Sequence, residues 1–234
     1  MAVAVHAVNK AKAKRGASCV ITGAGAVGLL CVTAAKAAGY KHVVLADITQ
    51  NRLDFAVQHG FADATHRLEV HKANSIEEGL SFSEEDAMAL IAQNANNRFH
   101  VVFECSGVES CVRTAIYVSS DLPWYPLQQT KRAQAARQGG KVILVGMGTP
   151  VQTLPISAAA NPEVDLVGVW RYANCYPRSM EIMEAAGKDT DVPDVRKIIT
   201  HRFSGLESVP AAFGVAAKTK DEEGRLVIKT VVEM

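Results

Sequence analysis

Three glycines, Gly23, Gly25 and Gly28, follow the apolar run 18–22 and open an alanine-rich segment. In a strand, turn and helix unit, the first glycine allows a sharp exit from the strand and the second lets a pyrophosphate approach the backbone, while the third allows close packing of the helix. Unpaired N–H groups and the positive end of the helix dipole then stabilise phosphate charge without a basic side chain. The spacing predicts a dinucleotide-binding turn, although glycines also serve ordinary tight turns.

An acidic residue, Asp47, ends the next apolar run, 42–46, about 20 residues beyond the glycines, where a carboxylate can accept hydrogen bonds from both adenosine ribose hydroxyls. With NADP the carboxylate would face a 2′-phosphate, and unit charges about 4 Å apart repel by roughly 4 kcal/mol at an effective dielectric near 20. Arg52 gives an opposing signal because it could reach that phosphate, but it could equally frame the adenosine or lie in solvent. NAD is the predicted cofactor.

Other enzyme classes share parts of this pattern. Methyltransferases also combine a glycine turn with an acid after the second strand, but the third glycine argues against them. Short-chain reductases use a tyrosine with a lysine four residues later, and none of the tyrosines here has one. A Gly-x-Ser-x-Gly nucleophile elbow is also absent from the sequence.

Strands and helices alternate along the chain and would position these residues. Helices are predicted from the glycine turn to Gly39, over 52–59 before Gly60, and from Ser83 as an N-cap through Ile91. Uninterrupted apolar strands are typical of a parallel sheet covered on both faces. The predicted fold class is α/β, a doubly wound parallel sheet of the Rossmann type. Short apolar runs predict its strands at 18–22, 42–46, 101–104, 141–145 and 164–169.

The character of the sequence changes after Arg171. We expect a helix that begins at Pro177, another around 206–217, and a final strand over 226–232. These elements are predicted to form a separate layer, with a domain boundary near Asn174.

Composition limits the function classes. Lysine and arginine total 25 against 24 acidic residues, so no overall charge favours nucleic acid or an anionic membrane, and the expected partner is a small molecule. No apolar run reaches the roughly 18 residues of a membrane span. The apolar start is followed by basic residues, the reverse of a secretory signal, and the five scattered cysteines show no zinc-finger or redox-motif spacing. A cytoplasmic protein with reduced thiols is expected.

Several motifs together resemble one family, the zinc-type medium-chain dehydrogenases of the sorbitol, xylitol and L-arabinitol group, over nearly the whole chain. The resemblance implies a linking helix at 1–15, an NAD-binding domain at 16–174, a C-terminal segment at 175–234 that returns to a catalytic domain, and a homo-oligomer. The motifs are 2–7 (AVAVHA), 20–28 (VITGAGAVG), 103–107 (FECSG), 145–148 (VGMG), 171–174 (RYAN) and 200–203 (THRF).

The resemblance also implies roles for individual residues. Val27 would pack near the cofactor, and Asp47 and Arg52 would hold its adenosine end. Trp170, which stands where the family usually has phenylalanine, would take part in binding the cofactor. Arg171 and Tyr172 would reach the cofactor and the hydroxyls of a polyol substrate. Arg171 could instead be an ion-pair partner at a domain interface. Cys105 and Ser106 are interpreted as packing and turn residues, and the nicotinamide pocket would be lined by Val145, Gly146 and Met147.

In this family, the resemblance implies, zinc polarises a secondary alcohol while hydride passes to NAD, giving a ketose. The zinc ligands would belong to an N-terminal domain preceding Ala2, so we expect no catalytic residue and no metal ligand in this chain. His66, Glu69 and His71 could be imagined as ligands, but histidines five residues apart suit neither strand nor helix geometry. His201 belongs to a motif of the family, and its chemistry cannot be derived from the sequence.

Two departures from the family pattern leave alternatives open. About 17 extra residues lie within 118–137, which makes this connection longer than is usual in compact domains. Trp124 and Tyr125 suggest a lid. Because removing the extra residues would restore the family's usual short connection, the segment could instead be a translated intron. The expected absence of the front domain is either a wrong start codon or a real truncation. Three functions follow: an NAD-dependent polyol dehydrogenase, a non-catalytic NAD-binding or oligomer-forming remnant, and a zinc-free relative that prefers NADPH, which Asp47 disfavours.

Overall fold

A six-stranded parallel sheet forms the centre of the computed structural model, which describes residues 1–95, 98–120, 139–188 and 191–234. Its strand order is β3-β2-β1-β4-β5-β6, and a second sheet pairs β7 with β8 in parallel. The strands are β1 Ser18–Thr22, β2 His42–Asp47, β3 Ala64–Arg67, β4 Val101–Glu104, β5 Lys141–Leu144, β6 Asp165–Gly168, β7 Ile199–Ser204 and β8 Lys229–Glu233. The helices are α1 Ala2–Ala11, α2 Ala26–Ala37, α3 Gln50–Gln58, α4 Ile76–Ala92, α5 Glu109–Ser119, α6 Ile156–Ala160, α7 Tyr176–Ala185 and α8 Val209–Ala216.

Helices cover both faces of the large sheet, because successive residues of each strand face opposite sides. On one face, Ile21 and Phe103 are buried in a cluster with apolar residues of α1, α2, α3 and α7. On the other, Val20 and Val102 are buried with residues of α4, α5 and α6. Each such side chain contributes about 1.5–3 kcal/mol when fully buried. The doubly wound α/β fold predicted from the sequence is confirmed.

The carboxyl ends of the strands form one straight edge. Thr22 pairs with Ala46 on one side and with Glu104 on the other, and Glu104 is followed across the sheet by Leu144 and Gly168. From β1 to β3 the strands are added on one side of the sheet, and from β4 to β6 they are added on the other side. Ligands of such sheets bind in the crevice outside the point where the order switches, between β1 and β4. The predicted site residues lie at this edge or in the loops and helix ends that follow it.

One predicted helix start was wrong. Ser83 lies inside α4, where its hydroxyl donates to the Gly79 carbonyl at 3.0 Å. The N-cap is Ser75, whose hydroxyl accepts a hydrogen bond from the Glu78 N–H at 3.2 Å, while the Glu78 carboxylate accepts from the Asn74 N–H. The capping-box pattern Ser-x-x-Glu at this point begins the helix two turns earlier than expected.

The C-terminal part begins with the expected helix, α7, which has Pro177 in its first turn. Cys175, Ile182 and Ile198 are buried in the same apolar cluster as α1 and α2. The division of the chain near Asn174 stays a prediction. The last strand begins at Lys229 rather than at residue 226, because Leu226 forms an isolated bridge with Lys220 and the Val227 N–H donates to the Thr219 carbonyl.

Two further expectations meet the limits of the described residues. Most of the segment 118–137 lies outside them, so the lid and intron hypotheses stay predictions. Within the described ranges, no helix has both the length and the apolar composition needed to cross a membrane.

Candidate functional site

The glycine turn joins β1 to α2. Gly23 has a φ of 94°, a left-handed conformation that favours glycine, and its N–H donates to the Ala46 carbonyl at 2.7 Å. A Cβ atom on Gly28 would lie 1.8 Å from the Gly23 carbonyl oxygen. The third glycine is thus required by contact with the turn itself, a more specific reason than the helix–sheet packing expected from the sequence.

Gly25 is the N-cap of α2, and no side chain caps this helix end. A Cβ atom built on Gly25 would have no neighbour within 4 Å, so open space lies beside the first N–H groups of the helix. Val27, in the first turn, is exposed at the same place. An uncapped N-terminus of a 12-residue helix beside open space fits an anionic group such as a pyrophosphate.

Asp47 is held against the glycine turn. Its side chain is only 7% exposed, one carboxylate oxygen accepts from the Ala24 N–H at 2.7 Å, and the other accepts from the Thr49 N–H at 2.7 Å. Each oxygen keeps a further lone pair for a ligand hydroxyl. An Arg52 guanidinium nitrogen lies 4.0 Å from the same carboxylate, and among the described residues its Nε is buried without a partner.

Glu104 was missed as a site residue by the sequence reasoning. It is 1% exposed at the end of β4, and its carboxylate accepts from the Ser106 N–H at 2.8 Å, from the Gly107 N–H at 3.0 Å and from the Ser106 hydroxyl. The Thr22 hydroxyl, at the end of β1, also donates to it at 3.3 Å. A buried carboxylate therefore shapes the loop beside the glycine turn. The sequence pattern that could have indicated Glu104 is an acidic residue at the end of an apolar strand, shortly before Ser106 and Gly107.

The loop after β5 packs closely on the backbone of the loop after β4. The N–H groups of Val145 and Gly146 both donate to the Glu104 carbonyl at 2.8 Å. A Cβ on Gly146 would lie 2.1 Å from the Gly107 nitrogen. Met147 is 83% exposed. Two of the predicted nicotinamide-pocket residues thus hold the loops together, while the Met147 side chain points outward.

Trp170, Arg171 and Tyr172 follow β6 at the same edge of the sheet. Trp170 is 71% exposed, and the Arg171 guanidinium carbon lies 5.5 Å from the centre of its ring. Arg171 has a φ of 52°, rarely adopted by residues other than glycine. Tyr172 accepts a hydrogen bond from the Tyr176 hydroxyl at 2.8 Å. The described residues supply no carboxylate to Arg171 at ion-pair distance, so the alternative role at a domain interface stays a prediction.

His201 has a structural contact in this chain. Its Nε2 lies 3.1 Å from an Asp221 carboxylate oxygen and its Nδ1 lies 2.9 Å from the Thr200 hydroxyl. The same carboxylate accepts from the Arg225 Nε at 2.6 Å. Burial opposes ionisation of Asp221, but the hydrogen bonds from Arg225 and His201 outweigh it and lower the pKa of the carboxyl. His201 therefore ties β7 to the turn that precedes β8.

Within the ranges that the structure describes, no three His, Cys, Asp or Glu side chains are grouped so as to hold a metal ion. His71 stacks on the Phe82 ring at 4.2 Å, and burial lowers the pKa of His66. These residues do not fit a zinc ion.

The sequence is similar to those of known proteins. A family model described as zinc-binding dehydrogenase matches residues 26–121. The sorbitol dehydrogenase of Arabidopsis thaliana is 33% identical over 219 residues, which are 93% of this chain and 51% of that protein. The L-arabinitol 4-dehydrogenase of Hypocrea jecorina is 30% identical over 231 residues, which are 99% of this chain and 53% of that protein.

Among solved structures, an Escherichia coli oxidoreductase/dehydrogenase of unknown specificity superposes with a TM-score of 0.73 at 25% identity, over 99% of this chain and 55% of that one. The chain spans about half the length of the curated relatives it matches.

Proposed function

The chain belongs to the zinc-binding dehydrogenase family, and from that premise we propose that it binds NAD and serves a polyol dehydrogenase, which oxidises a secondary alcohol of a sugar alcohol to a ketose. When bound, NAD supplies the nicotinamide ring that accepts the hydride. The observation that carries the proposal is the hydrogen bond from the Ala24 N–H to the Asp47 carboxylate, at 2.7 Å, because it fixes the ribose-binding acid relative to the phosphate-binding turn.

The open space at Gly25 supports the position of the pyrophosphate. The first N–H groups of α2 have no capping side chain, and a phosphate oxygen would satisfy them in favourable alignment with the helix dipole. No basic side chain is needed at this point.

Asp47 and Arg52 support NAD over NADP. A 2′-phosphate would meet a carboxylate that is anchored by two backbone N–H groups and cannot swing away. Arg52 lies close to that carboxylate, and a polar group of the adenosine end would satisfy its buried Nε. Arg52 is proposed to frame the adenosine.

Arg171 and Tyr172 are proposed to meet the polyol. They are exposed at the carboxyl edge of the sheet, beside Trp170, and offer a guanidinium and a phenol hydroxyl to an alcohol-rich molecule. Sorbitol dehydrogenase and L-arabinitol 4-dehydrogenase, which act by name on sugar alcohols, are the relatives at 33% and 30% identity. The described residues supply no zinc site.

Among the described residues β6 pairs only with β5, and this open edge supports a homo-oligomer. The Asp165 and Val169 N–H groups donate to β5, so the backbone groups of the alternate residues Leu166 and Gly168 are directed away from the sheet. A second copy could pair with them. A reducing, cytoplasmic environment is proposed because all five cysteines are free thiols.

Titration of the purified chain with NADH and with NADPH, followed by fluorescence, tests the cofactor proposal. We expect binding of NADH and at least tenfold weaker binding of NADPH, about 1.4 kcal/mol. D47N should weaken the binding of NADH and reduce the difference in affinity between NADH and NADPH, because the charge that repels the 2′-phosphate is removed. D54N is the matched control, since Asp54 lies on the exposed side of α3 and bonds only to Gln50. Equal binding of both cofactors by the native chain would refute the proposal.

Turnover separates the two remaining functions. Xylitol, sorbitol and arabinitol oxidation is measured with NAD and added zinc, alongside the binding titration. Formation of NADH supports the dehydrogenase. Binding of NADH without turnover favours a non-catalytic, NAD-binding role for this chain.

A further inference from the structure

Two thiols meet beneath the glycine turn. Cys31 lies in α2, and Cys105 is the first residue after β4. The Cys105 thiol donates to the Cys31 sulfur at a distance of 3.7 Å, although 74 positions separate them in the sequence. A disulfide requires sulfur atoms about 2.05 Å apart, so the two must close by roughly 1.7 Å.

The two cysteines differ in the exposure of the whole residue. Cys31 is completely buried, whereas Cys105 is partly exposed. Cys175 is turned to a different partner, the Ala173 carbonyl at 3.0 Å. A small oxidant that penetrates the site would thus reach Cys105 before Cys31, and Cys31 is in position to resolve the product.

Cys105 is also connected to the turn. Its N–H donates to the Thr22 carbonyl at 2.9 Å, immediately before Gly23. A Cβ position on Gly23 would be 3.3 Å from the Cys105 carbonyl carbon and 3.3 Å from the Ser106 nitrogen. A displacement of Cys105 toward α2 would therefore be transmitted to the backbone that precedes α2.

We propose that Cys31 and Cys105 form a redox-active dithiol whose oxidation to an intramolecular disulfide weakens cofactor binding at the glycine turn. The effect on binding rests on the proposed function; the disulfide does not. The oxidant is a hydroperoxide. Attack of Cys105 on hydrogen peroxide gives a sulfenic acid and one water, and attack of Cys31 on that sulfur forms the disulfide and releases a second water. The thiols lose two protons and two electrons in total, equivalent to two hydrogen atoms, and the peroxide is reduced to two molecules of water.

The environment of the pair sets its pH dependence. The hydrogen bond to Cys31, followed by burial, raises the pKa of the Cys105 thiol well above its usual range. Because the thiolate is the nucleophile, little of it is present at neutral pH. Oxidation should be slow at neutral pH and faster under alkaline conditions.

The test uses the full chain, first reduced and then treated with hydrogen peroxide at neutral and alkaline pH. Intact mass should show the loss of two hydrogen atoms, and proteolysis should give one peptide pair joined through Cys31 and Cys105. NADH titration should give an affinity weakened about fivefold in the oxidised chain and restored by dithiothreitol.

Three variants define the assignment. C105S and C31A should each abolish the linked peptides and the effect of peroxide on NADH binding. If loss of the buried Cys31 side chain prevents folding, C105S alone carries the result. C111S is the matched control, since Cys111 is also partly exposed but lies on α5, and it should respond as the native chain does.

Other outcomes overturn the proposal. No disulfide at alkaline pH, or a disulfide of Cys31 with Cys19, refutes the dithiol. A Cys31–Cys105 disulfide with unchanged NADH affinity refutes the coupling. If the reduced chain binds no NADH, the proposed function and the coupling both fail, while the peptide map still decides whether the dithiol exists.

Discussion

Gly25 and Gly28 lack a side chain for different reasons. The Cβ position of Gly28 is occupied by the Gly23 carbonyl oxygen, 1.8 Å away, whereas that of Gly25 is empty. Gly25 has a φ of −81°, which any residue adopts. The first requirement comes from the fold, and the second is explained by a ligand that approaches the backbone.

Substitution by alanine should separate these two requirements. G25A should change the free energy of unfolding by less than about 0.5 kcal/mol, so its thermal midpoint should be nearly that of the native chain. It should weaken the affinity for NADH at least tenfold, because the methyl group enters the proposed pyrophosphate space. G28A should destabilise the chain by about 3 kcal/mol through the clash with Gly23. Melting curves and NADH titrations of both variants provide the measurement. A G25A variant that binds NADH as well as the native chain would contradict the placement of the pyrophosphate.

Asp221 is the residue on which we expect acid stability to depend. Its side chain accepts hydrogen bonds from the Arg225 Nε, at 2.6 Å, and from the Arg225 and Glu223 N–H groups. Although burial opposes ionisation, these contacts and His201 lower the pKa of the carboxyl. A pKa that is lower in the folded chain means that the unfolded chain takes up a proton first as the pH falls.

The stability contributed by Asp221 should therefore be present above the ordinary carboxyl pKa of about 3.9 and be lost as the pH falls below it. D221N should be less stable than the native chain at neutral pH, and the difference should shrink toward acid. Urea unfolding at a series of pH values measures it. E222Q is the control, because Glu222 is an exposed neighbour whose contact with Lys218 is 3.5 Å. A D221N deficit that is constant with pH would refute this assignment.

Among the elements, the stability of α4 depends on its N-cap, Ser75, which lies outside the buried part of the helix. Ser75 accepts from the Glu78 N–H, while the Ser83 hydroxyl donates to the Gly79 carbonyl within the helix and lies 3.5 Å from the Ser110 carbonyl of α5. S75A should lower the free energy of unfolding by about 1 kcal/mol, the usual value of an N-cap. S83A is the matched control, and we expect it to change stability by less than about 0.5 kcal/mol. Denaturant unfolding measures the loss of stability in each variant. A larger loss in S83A than in S75A would contradict the assignment of Ser75 as the N-cap.

The elements that could be predicted are those whose sequence signal is local. β1 was predicted with its observed bounds because an apolar run ends at a glycine. β3, Ala64–Arg67, was missed because it is a polar edge strand with no apolar run. The pairing of β7 with β8 also could not be read from the sequence, since it joins segments about 30 residues apart through no local pattern.

The candidate site divides in the same way. Gly23, Gly28 and Asp47 lie where their spacing predicted, because one strand, one turn and one helix position them. Glu104 was missed because its role arises only when the loop after β4 meets β1, which is a contact between distant segments. The parallel sheet then brings both sets of residues to one edge.

At the scale of the whole molecule, the large sheet ends in two unlike edges. β3 carries Arg67 at its end, and charged residues discourage pairing with another chain. β6 has no charge after Asp165 and directs the backbone of Leu166 and Gly168 outward. Self-association through β6 is therefore more favourable than through β3.

Proline at residue 168 should prevent this association. G168P removes an N–H that faces away from β5, so the bonds within the chain are retained and the monomer should fold, as prolines do at strand edges. Sedimentation velocity should show the native chain as an oligomer and G168P as a monomer. G168A keeps the N–H and has free space for its Cβ, and it should associate as the native chain does. If G168P stays fully associated, another surface must join the subunits, and the open edge of β6 is not the interface.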